Sequence, residues 1–272
     1  MSVSLPTSVR NLLQKENYSY DDLVELVRYL RSENGCPWDK VQTHESLSLN
    51  LIEESYELVD AIQLKSPEKM REETGDVLLQ AAFHAVLGEE SGEFTNQEML
   101  NEICRKLITR HTHVFGNDGA DGAEEALVNW DRNKYKEKGH TSPAQSVADV
   151  PKPFPALLRA QKVQKRAAKF GFDFENREQV IDKIVEELNE WKEAAANGDC
   201  AAEKEELGDL LFSIVNLARF SNVQSEEALA ASTEKFVARF SETCRLIEQD
   251  GKTMDSLGAA ELNGYYDEAK KH

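Results

Sequence analysis

Twelve carboxylates in this chain fall into two strings with one internal spacing. The first is Glu53-Glu54-Ser55-Tyr56-Glu57 followed by Glu72-Glu73-Thr74-Gly75-Asp76; the second is Glu186-Glu187-Leu188-Asn189-Glu190 followed by Glu205-Glu206-Leu207-Gly208-Asp209. Every acid of the second string stands 133 residues after its counterpart, Glu186 after Glu53 for example, without a gap. Acids at i and i+3 share a helix face, so two such pairs on facing helices make an oxygen cage for a hard cation. A set made only of carboxylates favours Mg²⁺ or Mn²⁺ over zinc or copper, which prefer imidazole and thiolate.

The first copy also lacks an obvious counter-charge. Glu53 and Glu57 form a like-charged i,i+4 pair, a cost of about 0.2–0.5 kcal/mol in an isolated helix. No lysine or arginine stands four residues after Glu54, Glu57, Glu73 or Asp76. On a helical wheel Leu51, Leu58, Val59 and Ile62 share an arc with Glu54 at its edge. Asp76 opens the run Val77 to Phe83, which is apolar nearly all round and reads as buried, where a lone carboxylate is expensive. Two competing readings remain: a solvated face of acidic helices, and a di-iron bundle. The second needs Glu-x-x-His from two helices, and Glu137-Lys138-Gly139-His140 supplies it once, in a glycine-containing connection.

The elements that must position these acids are helices. The stripe Leu23, Val24, Leu26, Val27, Leu30 stops at Asn34-Gly35, a C-terminal stop signal. A second helix is expected from near Thr43 past Ile62, and a third from the Ser66-Pro67 cap to Gly88. A fourth opens at the capping box Thr95/Glu98 and runs to about Arg110. After a segment with Gly116, Gly119 and Gly122, the prolines Pro143, Pro151, Pro153 and Pro155 mark a linker. Four more helices follow near 156–169, 177–196, 201–221 and 225–249, Asn176/Gln179 resembling another capping box. The expectation is an all-α chain: a domain over 1–140, a Pro-rich linker over 141–155 and a second domain over 156–272, each an antiparallel four-helix bundle.

Composition narrows the function. At 272 residues with 40% apolar and 30% charged content, the chain suits a soluble protein with two ordinary cores. Its formal charge of −18 argues against nucleic-acid binding, which needs a basic face. A nucleotide stays possible, because a bound divalent ion reverses the local sign of a site. No run is long and apolar enough for a membrane span. The start MSVSLPTSVR lacks an apolar secretory core and the four cysteines are far apart without CxxC, so a cytoplasmic location with reduced thiols is expected. His111 and His113 read as packing or capping residues, Trp38 as a core or lid anchor and Trp191 as packing. No GxxxxGK[ST] loop is present, which disfavours a P-loop mechanism.

Together with Gly35-Cys36-Pro37-Trp38-Asp39, Gln42-Thr43-His44, Arg110-His111-Thr112-His113-Val114-Phe115, Arg159 to Arg166 and Gly171-Phe172-Asp173, the two acidic strings closely resemble MazG-type nucleoside triphosphate pyrophosphohydrolases over about residues 20–270. The resemblance implies a dimeric, tandem-domain enzyme that uses Mg²⁺ to hydrolyse a nucleoside triphosphate to the monophosphate and pyrophosphate, with broad base tolerance. It implies metal ligands Glu187, Glu190, Glu206 and Asp209 in the second copy, and Glu54, Glu57, Glu73 and Asp76 in the first. Glu186 and Glu205 would hold a second ion or orient the attacking water. Lys235 and Arg239 match the family's phosphate-contacting pair, with Lys106 and Arg110 as their equivalents. Trp130/Lys134 and Tyr266/Lys270 repeat an aromatic with lysine four residues later; the family usually carries tryptophan where Tyr266 stands, which alters base stacking or only its strength. The expected lysine before the second acidic pair is replaced by Ala202, with Lys204 nearby. The second copy is expected to carry the main activity, in keeping with the family.

The chemistry agrees with these residue types. Attack of water on a phosphoryl group needs charge neutralisation and alignment more than a covalent partner. Carboxylate-held magnesium supplies the first, and a lysine with an arginine can hold outgoing pyrophosphate. The alternative from another class is a helical regulatory or scaffold protein whose carboxylates bind a structural cation.

Overall fold

A computed structural model describes residues 5–271, and among them the chain is α-helical without strands. It divides into two compact units, the first through Lys134 and the second from Tyr135. The first contains α1 (Thr7–Leu12), α2 (Tyr20–Arg31), α3 (Pro37–Lys40), α4 (Ser48–Gln63), α5 (Pro67–Ser91), α6 (Asn96–Arg110), α7 (Thr112–Phe115) and most of α8 (Ala123–Glu137). The second contains α9 (Pro143–Ala148), α10 (Ala156–Ala168), α11 (Arg177–Asn197), α12 (Cys200–Phe220), α13 (Ser225–Gln249) and α14 (Ala259–Ala269).

Local chemistry sets the helix ends. Ser19 and Asp22 form a reciprocal capping box at α2, and Thr95 with Glu98 forms another at α6. Asn176 caps α11 by accepting from Gln179 N at 3.0 Å, while Gln179 Oε1 accepts from Glu175 N instead of closing the box on Asn176. α5 runs one turn beyond Gly88 and stops at Gly92, whose φ of 73° is the left-handed C-cap conformation. α4 begins at Ser48 rather than near Thr43, because Thr43 and Ser46 satisfy each other's backbone N–H groups and hold that stretch as a turn.

In each unit the two acid-bearing helices form the principal pair, α4 with α5 and α11 with α12. Helix α2 packs on α5, burying Val24, Val27, Leu47, Ala82, Phe83, Val86 and Leu87 in one cluster. In the second unit α10 packs on α12, α9 and α13, and Val150, Val180, Val215 and Ile247 are buried.

The loop leading into α4 is fastened to α2 and α5. Buried Arg31 donates to the carbonyls of Asp39 and Gln42 at 2.6 and 3.1 Å and pairs with Glu90 at 2.7 Å. Imidazole Nδ1 atoms of His44 and His84 meet at 2.7 Å with the rings stacked, so one donates and the other accepts. Burial, with the facing His44, holds His84 below the ordinary histidine value. At Gly35 the chain doubles back so closely that a Cβ would lie 2.2 Å from the Leu30 carbonyl oxygen and 2.3 Å from that of Tyr29. Those oxygens belong to the backbone and have no rotamer to yield. Gly35→Ala is expected to lower unfolding stability by about 1–3 kcal/mol or more, read as a fall in the urea midpoint; an unchanged midpoint would show that the loop relaxes freely.

Two burial expectations are corrected. The run after Asp76 is not buried all round: Leu78 is 44% exposed, and on α4 Val59 and Ile62 are also open while Ala61 carries the burial. Trp38 is exposed rather than part of the core. The cause is common to both units. Each helix pair is covered on one side only, leaving apolar stripes such as Leu49, Ile52, Tyr56 on α4 and Leu207, Leu211, Ile214 on α12.

Candidate functional site

In the first unit the structure brings together Glu54 of α4 with Glu73 and Asp76 of α5. Each presents a carboxylate oxygen within 4.8 Å of the others, and all three are half-buried. Glu57 is exposed and outside that triad, although its charge reaches both Glu54 and Glu73. Burial first, and then the neighbouring acids, raise Glu54 and Glu73 above the usual carboxylate range.

The second unit reproduces the arrangement with more acids. Glu187 is 4% exposed and belongs to two groups that meet the same 4.8 Å limit, one with Glu186 and Glu190 and one with Glu206 and Asp209. Burial raises Glu206, helped by Glu190, Glu187, Asp209 and Glu205 in that order. Glu205 and Lys204 are exposed on the same helix. Carboxylates crowded and raised in this way fit a divalent cation, which removes the repulsion that protonation otherwise relieves.

A cation already stands against this cluster. Lys183 Nζ lies 2.6 Å from Glu187 Oε1 and 2.7 Å from Glu186 Oε1, which holds the ammonium above its ordinary value. Sequence reasoning overlooked Lys183, although its place four residues before Glu187 was a legible ion-pair signal. Asn50 occupies the equivalent position in the first copy, so the two units are not chemically alike here.

Beside Lys183, Glu187 and Asp209 opens a cavity of about 1120 Å³. Phe170, Phe172, Phe174 and Phe212 give it an aromatic lining, and Gln164, Ser213 and Asn216 add polar groups. Helix α9, inside the stretch expected as linker, supplies Pro143, Ala144, Val147 and Ala148 to its wall. That short helix is held in place by Asp149, which takes Lys138 Nζ at 2.5 Å and Arg166 Nη1 at 3.6 Å, while Arg166 also donates to the Ser146 carbonyl. Arg219 fastens the 171–174 turn by pairing with Asp173 and donates to Asn216 Oδ1 at 2.8 Å.

The basic and aromatic residues form separate groups. In the first unit Arg110 and Lys134 lie 5.4 and 4.6 Å from the Trp130 ring centroid, and Lys106 pairs with Glu102. In the second, Lys270 sits 4.9 Å from the Tyr266 ring, which contacts Phe236 of α13 at 5.9 Å. Arg239 is half-buried and Lys235 exposed on α13; neither they nor Tyr266 and Lys270 line the cavity. His111 caps α6, its Nδ1 2.6 Å from the Leu107 carbonyl oxygen.

The profile of the MazG nucleotide pyrophosphohydrolase domain matches residues 42–115 and 175–243, one match on each acid-bearing helix pair. The chain is 45% identical over 251 residues to a nucleoside triphosphate pyrophosphohydrolase/pyrophosphatase MazG of Thermotoga maritima, covering 92% of this chain and 95% of that protein. It is 38% identical over 254 residues to the nucleoside triphosphate pyrophosphohydrolase of Escherichia coli K12, covering 92% and 97%. With the doubled acidic helix pair and both profile matches in register, the chain belongs to the MazG nucleotide pyrophosphohydrolase family.

Proposed function

We propose that this chain hydrolyses nucleoside triphosphates to the monophosphate and pyrophosphate, using Mg²⁺ with Mn²⁺ as a substitute. It does so with broad base tolerance, as a cytoplasmic homodimer that clears unwanted nucleotides. The observation that carries the reading is the junction of the Glu187, Glu206, Asp209 carboxylates with an aromatic cavity. One wall of that junction suits a cation-bound polyphosphate and the other an apolar ring system. Relatives that match nearly end to end bear the name of this activity.

In this mechanism Glu187, Glu190, Glu206 and Asp209 would hold the metal, which would supply neutralisation of phosphate charge and a more acidic water. Glu186 and Glu205 flank those ligands, and one of them orients the attacking water and takes its proton. Lys183, which pairs with Glu187 and Glu186, would be free to meet a phosphate oxygen where a cation takes its place at Glu187. Lys235 and Arg239 hold the departing pyrophosphate, arginine by a two-pronged contact. Tyr266 supports Lys270 through its ring face. Lys204 contributes charge at the phosphate end. The first unit keeps Glu54, Glu57, Glu73 and Asp76 with Lys106, Arg110, Trp130 and Lys134, but has Asn50 in place of Lys183, so the second unit is assigned the main activity. A second copy of the chain is the proposed cover for the open stripes on α12 and α13, including Leu207, Leu211, Phe236 and Phe240, since patches of this kind mark association surfaces. No helix among the described residues is long and apolar enough to cross a membrane, and the charge of −18 disfavours nucleic acid.

Incubation with a nucleoside triphosphate and Mg²⁺ tests the reading through its products. Monophosphate with pyrophosphate is expected; diphosphate with phosphate, or no turnover, would refute it. A linked prediction concerns pH. Glu54, Glu73 and Glu206 are raised, so without metal the folded state holds protons more tightly than the unfolded chain. Their contribution is therefore favourable at low pH and lost as pH climbs from the ordinary carboxylate value through the raised ones. Mg²⁺ competes with those protons, so it is expected to raise the melting temperature more at pH 7.5 than at pH 5. An equal shift at both values would count against metal binding by these acids.

A further inference from the structure

Asn216 of α12 is held by one end of its amide only. The residue is 8% exposed, and its Oδ1 accepts from Arg219 Nε at 2.8 Å. Arg219 is itself clamped, since both of its terminal nitrogens pair with the Asp173 carboxylate. That chain of contacts fixes the amide, because turning it over would set the Asn216 NH₂ against the Arg219 N–H. Nδ2 is left as a donor, and among the described residues it meets no acceptor. Nor is it sealed in, as the unpartnered side-chain oxygen of Gln80 is. Asn216 lines the cavity with Glu187 and Asp209, so the opening left to so buried a residue lies there. Asp209, Ser213 and Asn216 follow at i, i+4 and i+7 on one face of α12, which sets Asn216 about 10 Å along the axis from the carboxylates.

We infer that Asn216 grades nucleobases by donating its free N–H to an oxo group on the base. The inference rests on the proposed nucleotide reading and adds a specificity-determining residue to it. With a polyphosphate at the carboxylates, the sugar spans the turn at Ser213 and the base reaches Asn216. The four cavity phenylalanines supply ring contact that is indifferent to base identity. A fixed N–H is not indifferent. It meets the oxygen that guanine, hypoxanthine, uracil and thymine carry, whereas adenine and cytosine present an amino group at that position and set donor against donor. Every base still enters, so broad tolerance stands with an order imposed on it, oxo above amino.

ITP against ATP tests this, because the two differ by an oxo or an amino group at one ring position, with the ring proton that accompanies the oxo form. The wild-type kcat/KM is expected to favour ITP by about 5- to 100-fold, the factor for one buried donor met or left unmet. Asn216→Asp keeps the oxygen that Arg219 holds and turns the donor into an acceptor, so it is expected to reverse the preference towards ATP. The added charge acts on both nucleotides alike and cancels in the ratio. Equal use of ITP and ATP by the wild type, or a preference that Asn216→Asp leaves unchanged, would overturn the inference while leaving pyrophosphohydrolysis intact. Should neither nucleotide be hydrolysed, the parent reading fails separately, and calorimetric binding of IMP against AMP still decides the role of Asn216. The wild-type comparison needs no variant to fold.

Discussion

Glu187→Ala is expected to reduce pyrophosphate release by about 10²- to 10³-fold, the scale on which loss of one preorganised electrostatic group acts. The physical reason is its shared position: Glu187 is the one acid common to both carboxylate groups of the second unit and the most buried of them. Its removal opens both groups at once and strands Lys183, whose remaining partner is the exposed Glu186. The metal-dependent rise in melting temperature should shrink with the activity. Glu54→Ala removes the matching acid of the first unit and is expected to cost several-fold less, because that unit lacks the counterpart of Lys183. Steady-state rates on both variants, with far-UV circular dichroism to verify folding, check the assignment. Equal losses would overturn the assignment by giving both units the same share of the activity, and reversed losses would move it to the first unit.

Much of this arrangement was legible in the residues. The 133-residue register put the acids on paired helices because a helix transmits i,i+3 spacing directly into space, and a second copy repeats it. The caps at Ser66, Thr95 and Asn176 are local hydrogen bonds, so a few neighbouring residues specify them. What periodicity could not give was the identity of whatever covers each face. The apolar run after Asp76 looked buried all round, yet Leu78 is open, because hydrophobicity records a need for cover and not whether the same chain provides it. The linker was misleading for a related reason: prolines mark interrupted helix, whereas Pro143 at the first turn of α9 begins one. The role of α9 as a cavity wall depends on Asp149 meeting Lys138 and Arg166, contacts that span 11 and 17 residues and have no periodic signature.

Arg239→Ala should lower kcat/KM by about 10²-fold or more, within the range for guanidinium groups that neutralise charge at a transferring phosphoryl group. Arg239 is half-buried on α13, on which Phe236 and Phe240 stack at 6.0 Å and Tyr266 braces Phe236. That buttress fixes the helix face from which Lys235 and Arg239 project one turn apart. Arg239→Lys keeps the charge but loses the planar fork, so it is expected to recover only part of the rate. Neither change touches a carboxylate of the second unit, and both should retain the full Mg²⁺-dependent rise in melting temperature that Glu187→Ala loses. The pair of readouts separates anion-holding from cation-holding residues. If Arg239→Ala turns over at the wild-type rate, the α13 pair is a solvated face and the pyrophosphate is held elsewhere. If it loses the Mg²⁺ response as well, Arg239 acts on the fold rather than on phosphate.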